Sequence, residues 1–147
     1  MPMPKRLYPE TPLLAAATAI WRGDRILLAR RKVSVNSGTW AMPGGLVETG
    51  ETLAEAAIRE VKEETSLTIS SPKFMTYQEI IMKDDEGAAE RHYVLAIFVA
   101  KSESGLAVAG DDADAVSWFE QDELHALPLT GNTLSLVRES TTLLADL

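Results

Sequence analysis

The chain contains no cysteine. It therefore has neither a disulfide scaffold nor a thiolate metal site, and nothing ties it to an oxidising compartment. Long apolar runs are also missing. None approaches the ~20 residues that a membrane span needs. The alanine-rich stretch at 13–20 is too short for a secretory signal core, so a cytoplasmic location and no membrane partner are expected. Basic charge is scarce relative to acid: 14 Lys+Arg stand against 22 Asp+Glu, a net charge of −8. That balance argues against bulk binding to nucleic acid or to anionic membranes. Repeats and low-complexity tracts are lacking as well. A single domain over residues 1–147 is the simplest expectation, and that length suffices to bury a core.

The charge that is present is unevenly placed. Residues 1–32 carry a balance of +5, residues 33–101 of −5, and residues 102–147 of −8. One reading is an uneven solvated surface. The other is a site where a basic wall faces an acidic one, which would suit a divalent cation and a polyphosphate.

Residues 11–21 are apolar and β-compatible, Gly23-Asp24 makes a turn, and residues 25–31 run back as the second strand of a hairpin. Residues 33–38 read as a polar loop, and residues 40–45 as a strand end entering a tight turn. Residues 52–66 form the clearest helix, uninterrupted by Gly or Pro, with Thr49 or Glu51 as candidate caps. Residues 67–70 read as a short strand. Residues 74–82 and 92–100 read as longer strands flanking the Asp84-Asp85-Glu86-Gly87 turn, with Phe74, Tyr77 and Tyr93 expected in the core. A loop at 105–113, a strand at 115–119, a short helix at 121–126 and a last helix at 132–145 complete the chain. The irregular mixture of about six strands and two main helices predicts an α/β (α+β) fold, a mixed sheet with helices on its faces.

Chemistry concentrates in residues 45–67, GLVETGETLAEAAIREVKEETSL. At ~100° per residue, Glu60, Glu63 and Glu64 fall within roughly 100° of one another. Ala54, Ile58, Val61 and Thr65 occupy an adjoining packing face, and Glu55 and Lys62 a wetter one. Like charges at these spacings weaken a helix, and they sit toward its C-terminus, where the dipole disfavours anions. On the helix alone this is a solvated acidic face. A hard divalent cation such as Mg²⁺, with Mn²⁺ as a substitute, would reverse the sign, because it takes oxygen ligands. Pro43-Gly44-Gly45 precede the helix, and two glycines allow positive φ or close backbone approach, so a peptide carbonyl could face the same cation. Arg59 lies eight residues after Glu51, placed to hold that carboxylate in a bidentate pair and fix the loop.

Gly45, Glu51, Arg59-Glu60-Val61, Glu63-Glu64 and Leu67 reproduce, at the same spacing, the Nudix box G-x5-E-x7-R-E-U-x-E-E-x-G-U, where U is a bulky aliphatic residue. The chain thus resembles the Nudix hydrolase family, closest in layout to its ADP-ribose pyrophosphatase-like members. One fixed position departs: Ser66 stands where the pattern has glycine. That glycine would end the helix in a left-handed conformation, so serine should cost ~1 kcal/mol there without touching metal or substrate. The box covers 23 of the 147 residues, and the lead-in Gly38-Thr-Trp40-Ala-Met-Pro43 also resembles the family's.

The resemblance implies an α/β/α sandwich that hydrolyses the pyrophosphate bond of a nucleoside diphosphate linked to another moiety. It implies metal binding by Glu60, Glu63, Glu64 and the Gly45 carbonyl, with Glu51 and Arg59 orienting the loop. The general base is Glu60 or an acid from a separate loop. Asp84-Asp85-Glu86 with Glu90 is one candidate loop, and Asp111-Asp112 with Asp114 is preferred, Asp112 foremost. Arg30, Arg31 and Trp40 are candidate substrate contacts: phosphate grips for the arginines, base stacking or plain packing for the tryptophan. The expected substrate is an ADP-sugar such as ADP-ribose. A nucleoside triphosphate, including oxidised ones, is the alternative, and a non-catalytic nucleotide-sensing domain is the alternative of another class. No long nucleic acid is expected as partner. A homodimer remains open, since many family members dimerise and nothing in the sequence marks an interface.

Overall fold

The first strand is dominated by alanine between residues 15 and 19, and that choice shapes the molecule. In the computed structural model, which describes residues 5–32, 38–110 and 112–147, strand β1 (Leu13–Arg22) lies at the centre of a seven-stranded mixed sheet among the described residues. The loop expected at 33–38 is outside the described residues except for Gly38, as is Asp111. The other strands are β2 (Arg25–Arg31), β3 (Trp40–Ala41), β4 (Gly44–Leu46), β5 (Lys73–Lys83), β6 (Ala89–Lys101) and β7 (Ala113–Glu120). The order is β3-β2-β1-β6-β5, with β4 added to β1 and β7 to β2. The β1–β6 pair is parallel and the others are antiparallel.

β1 and β2 pair near their turn, at Ile20↔Leu27, Trp21↔Ile26 and Arg22↔Arg25. Beyond that point β4 takes over the edge of β1, with Ala15↔Leu46, Ala16↔Gly45 and Ala17↔Gly44. Small side chains on both strands let a further layer approach here. Helix α1 (Leu53–Thr65) packs its Ala56 and Ala57 against Ala16, Ala96 and Phe98. Its Val61, with Leu67 and Ile69, covers Ile20, Leu27 and Ala100. The opposite face, one residue out of phase along each strand, presents Trp21, Ile26, Leu28, Ile97 and Val99 to Leu124, Leu136 and Val137. Helix α2 (Thr133–Ser140) is anchored there by the indole N–H of Trp21, which donates to Ser140 Oγ at 2.9 Å. The expected mixed sheet with helices on both faces is what forms.

Several expectations need correction. Residues 67–70 are not a strand. They lie outside any strand, with Leu67 and Ile69 buried against Val61 of α1. The last helix is α-helical only to Ser140, and 3₁₀ geometry continues through Thr141–Asp146. Residues 121–126 are also a 3₁₀ helix. Phe74 and Tyr77 are not core: they are 50% and 60% exposed on β5, the outer strand beside β6. Tyr93 is half-buried.

Candidate functional site

Helix α1 begins at a capping box. Thr52 Oγ1 accepts the Glu55 N–H at 3.1 Å, and Glu55 Oε1 accepts the Thr52 N–H at 3.4 Å. The cap is thus Thr52, rather than Thr49 or Glu51. Glu51 is committed elsewhere. Its Oε2 and Oε1 accept from Arg59 Nε and an Arg59 terminal nitrogen at 2.7 and 3.0 Å, and Oε1 also accepts the Glu48 N–H at 2.9 Å. Arg59 spends its remaining donors on the Leu46 carbonyl (2.9 Å), Glu60 (2.8 Å) and Glu63 (3.2 Å). One guanidinium, 23% exposed, thus ties the 46–51 loop to the helix and to two of its carboxylates. The hydrogen bonds it donates lower the pKa of Glu51 below the usual carboxylate value, and accepting them, Glu51 and Glu60 raise that of Arg59.

The glycine pair acts by closeness. Neither Gly44 nor Gly45 has positive φ, contrary to one of the two uses expected for them. Both lie in β4, flat against β1. A Cβ on Gly44 would strike the Ala16 carbonyl and Ala17, and one on Gly45 would stand 2.5 Å from the Glu60 carboxyl carbon. The Gly44 N–H meanwhile donates to Glu64 Oε2 at 3.2 Å. Glu60 and Glu64 therefore lie directly beneath the β4 backbone. Burial pushes the Glu64 carboxyl up to about 8, and the charges of Glu60 and Asp112 add to this. The Gly44 N–H and Arg31 oppose it. Glu63 is more exposed and reaches back to Arg59.

The C-terminal end of α1 is held by the 105–113 loop. Val108 N–H bonds the Thr65 carbonyl at 2.8 Å and Gly110 N–H the Glu64 carbonyl at 3.0 Å. Gly110 approaches the Glu63 carbonyl so closely that no Cβ would fit. This contact brings Asp112 to the mouth of the site. Ser66 closes the helix in the left-handed region at φ 66°, as its place in the motif implied, and its N–H bonds the Lys62 carbonyl at 3.0 Å.

These groups form one wall of a cleft of about 1410 Å³. Arg30, Arg31, Gly45, Arg59, Glu60, Glu63, Glu64 and Asp112 all line it. Of the residues singled out in the sequence, the structure does not place Trp40 there. Its ring stands edge-on to Phe119 at 5.0 Å, and the Arg30 guanidinium lies 5.6 Å from its centroid. Of the two roles left open for Trp40, the structure shows packing: the ring sits between β7 and the arginine. Arg30 is also engaged, its Nε donating to Asp114 Oδ1 at 2.6 Å. The alternative acid loop belongs elsewhere, since Asp84 caps its own turn through the Glu86 and Ala88 N–H groups. The far wall escaped the sequence reading. It is built by Gln78 and Ile80 of β5, Tyr93 and Leu95 of β6, and Asn132 and Leu136 at α2, with the Asn132 amide donating to Gln78 at 3.3 Å. The signal was the alternation of Tyr93 and Leu95 along β6.

The donors gathered under β4 are hard oxygens alone, which fits Mg²⁺ or Mn²⁺. Among the described residues no three carboxylates already converge as a preformed cage. Arg59 holds Glu60 and Glu63, while the buried Glu64 sits where a nearby cation would relieve the cost of its charge. Gly45 is close enough to the Glu60 carboxylate for its backbone to share a ligand with it.

Comparison with known proteins agrees with this geometry. The model of the NUDIX domain matches residues 11–139. An ADP-ribose pyrophosphatase of Methanocaldococcus jannaschii is 35% identical over 122 residues, which are 83% of this chain and 69% of that protein. An NAD-capped RNA hydrolase of Yersinia enterocolitica is 32% identical over 142 residues, 95% of this chain but 50% of its own length. The crystal structure of a MutT NUDIX hydrolase from Burkholderia pseudomallei superposes with a TM-score of 0.77 at 29% identity, covering 88% of this chain and 98% of that one. With its box in place and its sheet, helices and cleft arranged around it, the chain belongs to the Nudix hydrolase family.

Proposed function

We propose that the chain is a Mg²⁺-dependent pyrophosphatase of a nucleoside diphosphate linked to another moiety, an ADP-sugar such as ADP-ribose foremost. The observation that carries the reaction class is the Arg59–Glu51 bidentate pair holding the β4 loop over Glu60 and Glu64. The substrate reading is supported by the 35% identity to a protein named ADP-ribose pyrophosphatase. A nucleoside triphosphate is the second reading, beside the likeness to a structure named a MutT NUDIX hydrolase.

Glu60, Glu63, Glu64 and the Gly45 carbonyl would hold the cation. When bound, Mg²⁺ offsets the charge of the diphosphate and raises the electrophilicity of phosphorus. The chain supplies the rest. Arg31 and Arg30 offer guanidinium donors to phosphate oxygens. Arg59 and Glu51 fix the loop so that the carboxylates keep their places. Asp112, at the rim beside Glu64, accepts the proton of the attacking water. Water oxygen bonds to phosphorus as the anhydride P–O bond breaks, giving AMP and ribose 5-phosphate from ADP-ribose.

Hydrolysis of ADP-ribose in ¹⁸O-labelled water, followed by mass spectrometry, tests this. Label in one of the two phosphomonoesters, with no products in chelator, is expected. Intact ADP-ribose beside turnover of a triphosphate would replace the substrate reading.

A further inference from the structure

Strand β5 ends the sheet. Its inner side pairs with β6 along its whole length, and among the described residues no main-chain group bonds its outer side. A long bare edge is a template for another strand, and natural proteins blunt it with proline, charge or a bulge. Here those devices stand at the ends alone. The bulge falls at Met75, the lysines are Lys73 and Lys83, and no proline interrupts residues 73–83. Large apolar groups crowd this edge instead. Phe74, Tyr77, Ile81 and Met82 are each about half exposed. At roughly 200 Å² for a large side chain, they leave ~400 Å² of apolar surface open. One side of a standard interface takes ~800 Å², a little over half of it apolar. The apolar surface of β5 thus comes close to what such an interface needs.

Alternation along the strand sets the faces and limits the register. Gln78, Ile80 and Met82 point into the cleft, and Tyr77, Glu79, Ile81 and Lys83 to the side of α1. The second irregularity of the β5–β6 pair adds its extra residue, Glu90, to β6, so residues 76–83 are the regular part of the edge. A two-fold axis sets this stretch antiparallel to itself. Opposed residues then share a face, and two centres use the stretch most fully, Glu79 and Ile80. The first opposes Glu79 to its own copy, like charge against like, which is destabilising. The second opposes Ile80 to Ile80, Glu79 to Ile81, Gln78 to Met82 and Tyr77 to the apolar stem of Lys83. It also puts Glu79 on a diagonal to Lys83, opposite charges on one face.

We infer that β5 is the interface of a homodimer, in which two copies of this chain pair antiparallel about Ile80 and join their sheets edge to edge. The self-matching order of charge and apolar surface along the strand is why the occupant is a second copy. Pairing also joins the two clefts. Gln78, Ile80 and Met82 line the far wall, so the partner's Ile80 and the partner's Met82 extend that wall across the axis. The interface stands whichever nucleotide the cleft takes.

Sedimentation equilibrium of the full chain tests the interface. The wild type should be a dimer, with a Kd that is micromolar or tighter. Ile81→Glu opposes glutamate to Glu79 on both sides of the axis and should sediment as a monomer. Its thermal melt should match the wild type, because the position is half exposed. Adding Glu79→Lys returns opposite charges to those positions, and the dimer should reform. The chain has no cysteine, so one introduced thiol reports on the axis. Ile80→Cys should give a disulfide-linked dimer on mild oxidation. Tyr77→Cys, about 20 Å from its own copy in this register, should not. A wild type that stays monomeric at ~100 µM overturns the interface and leaves the edge to another protein. A dimer that Ile81→Glu leaves intact, a double variant that stays monomeric, or a covalent dimer from Tyr77→Cys but not from Ile80→Cys would overturn it as well.

Discussion

Gly44 and Gly45 are neighbours in β4, and the structure gives them opposite sensitivities. In Gly44→Ala the new methyl meets the main chain of β1 at the Ala16 carbonyl and the Ala17 Cα, the latter 2.7 Å away. Backbone in the middle of a sheet cannot yield, so β4 must lift away from β1. The cost lies at the top of the overpacking range, about 3 kcal/mol. For a domain of this size that lowers Tm by roughly 6–12 °C. In Gly45→Ala the methyl meets the Glu60 carboxylate at 2.5–2.6 Å, the far end of a side chain that can rotate. The fold should lose less, about 1.5 kcal/mol, since the largely buried carboxylate can turn toward the open cleft but gives up its charged hydrogen bond to Arg59. Activity should suffer far more. A carboxylate moved by an ångström or more is expected to cost about 10²-fold in kcat. Thermal melts followed by circular dichroism, with initial rates on ADP-ribose at saturating Mg²⁺ and 25 °C, separate the two. A Gly45→Ala protein with wild-type kcat, or a Gly44→Ala protein with wild-type Tm, would refute this use of the glycines.

Further outcomes follow from the same contacts. Glu63→Gln and Glu64→Gln should each lower turnover by orders of magnitude and raise the Mg²⁺ needed for half-maximal rate, read from metal titrations of initial rate; unchanged titrations would remove them from the cation site. Arg59→Ala should cost about 3 kcal/mol in urea unfolding, because it strands the largely buried Glu51 carboxylate, while leaving measurable metal binding. The Glu51 pKa is lowered in the folded chain, so the Glu51–Arg59 contribution is present above the ordinary carboxylate pKa and is lost as pH falls through the folded value. The gap in urea midpoint between wild type and Glu51→Gln should therefore be full near pH 7 and shrink below about pH 4; a gap that does not vary with pH would contradict the pair. Ser66→Gly relieves the left-handed strain at φ 66° and should gain about 1 kcal/mol in the same assay with kcat unchanged. Asp112→Asn should lower kcat by about 10²-fold with the Mg²⁺ titration unchanged, and an unaltered kcat would move the base role to Glu60.

The parts of this architecture that could be read in advance are those carried by short sequence separations. The bidentate grip of Arg59 on Glu51, the grouping of three glutamates on α1 and the left-handed end at Ser66 all lie within one loop and one helix, where spacing dictates geometry. The choice of cap was not so local. Thr49, Glu51 and Thr52 are all chemically suitable, and Thr52 prevails because Arg59 takes Glu51. Alternation along β5 cannot say whether a neighbour covers its face, and so Phe74 and Tyr77 were expected inside. Trp40 could be read as packing, but not against what: Phe119, its partner, comes from β7 and is adjacent only through the β2–β7 and β2–β3 registers. The far wall of the cleft arises from strand pairings between distant segments, and these no local pattern encodes.

The central claim is that the cleft under β4 cleaves pyrophosphate bonds with a divalent cation held by Glu60, Glu63 and Glu64. The most direct test is a hydrolysis screen, its products separated by chromatography, over ADP-ribose, other nucleotide sugars, dinucleoside polyphosphates, and canonical and oxidised triphosphates. Each would be run with Mg²⁺, with Mn²⁺ and with chelator, beside the Glu64→Gln protein. The account predicts turnover of a diphosphate-linked nucleotide, ADP-ribose foremost, abolished by chelator and by the substitution. Turnover that persists in chelator, or no turnover of any compound by a chain that still binds the metal, would contradict it.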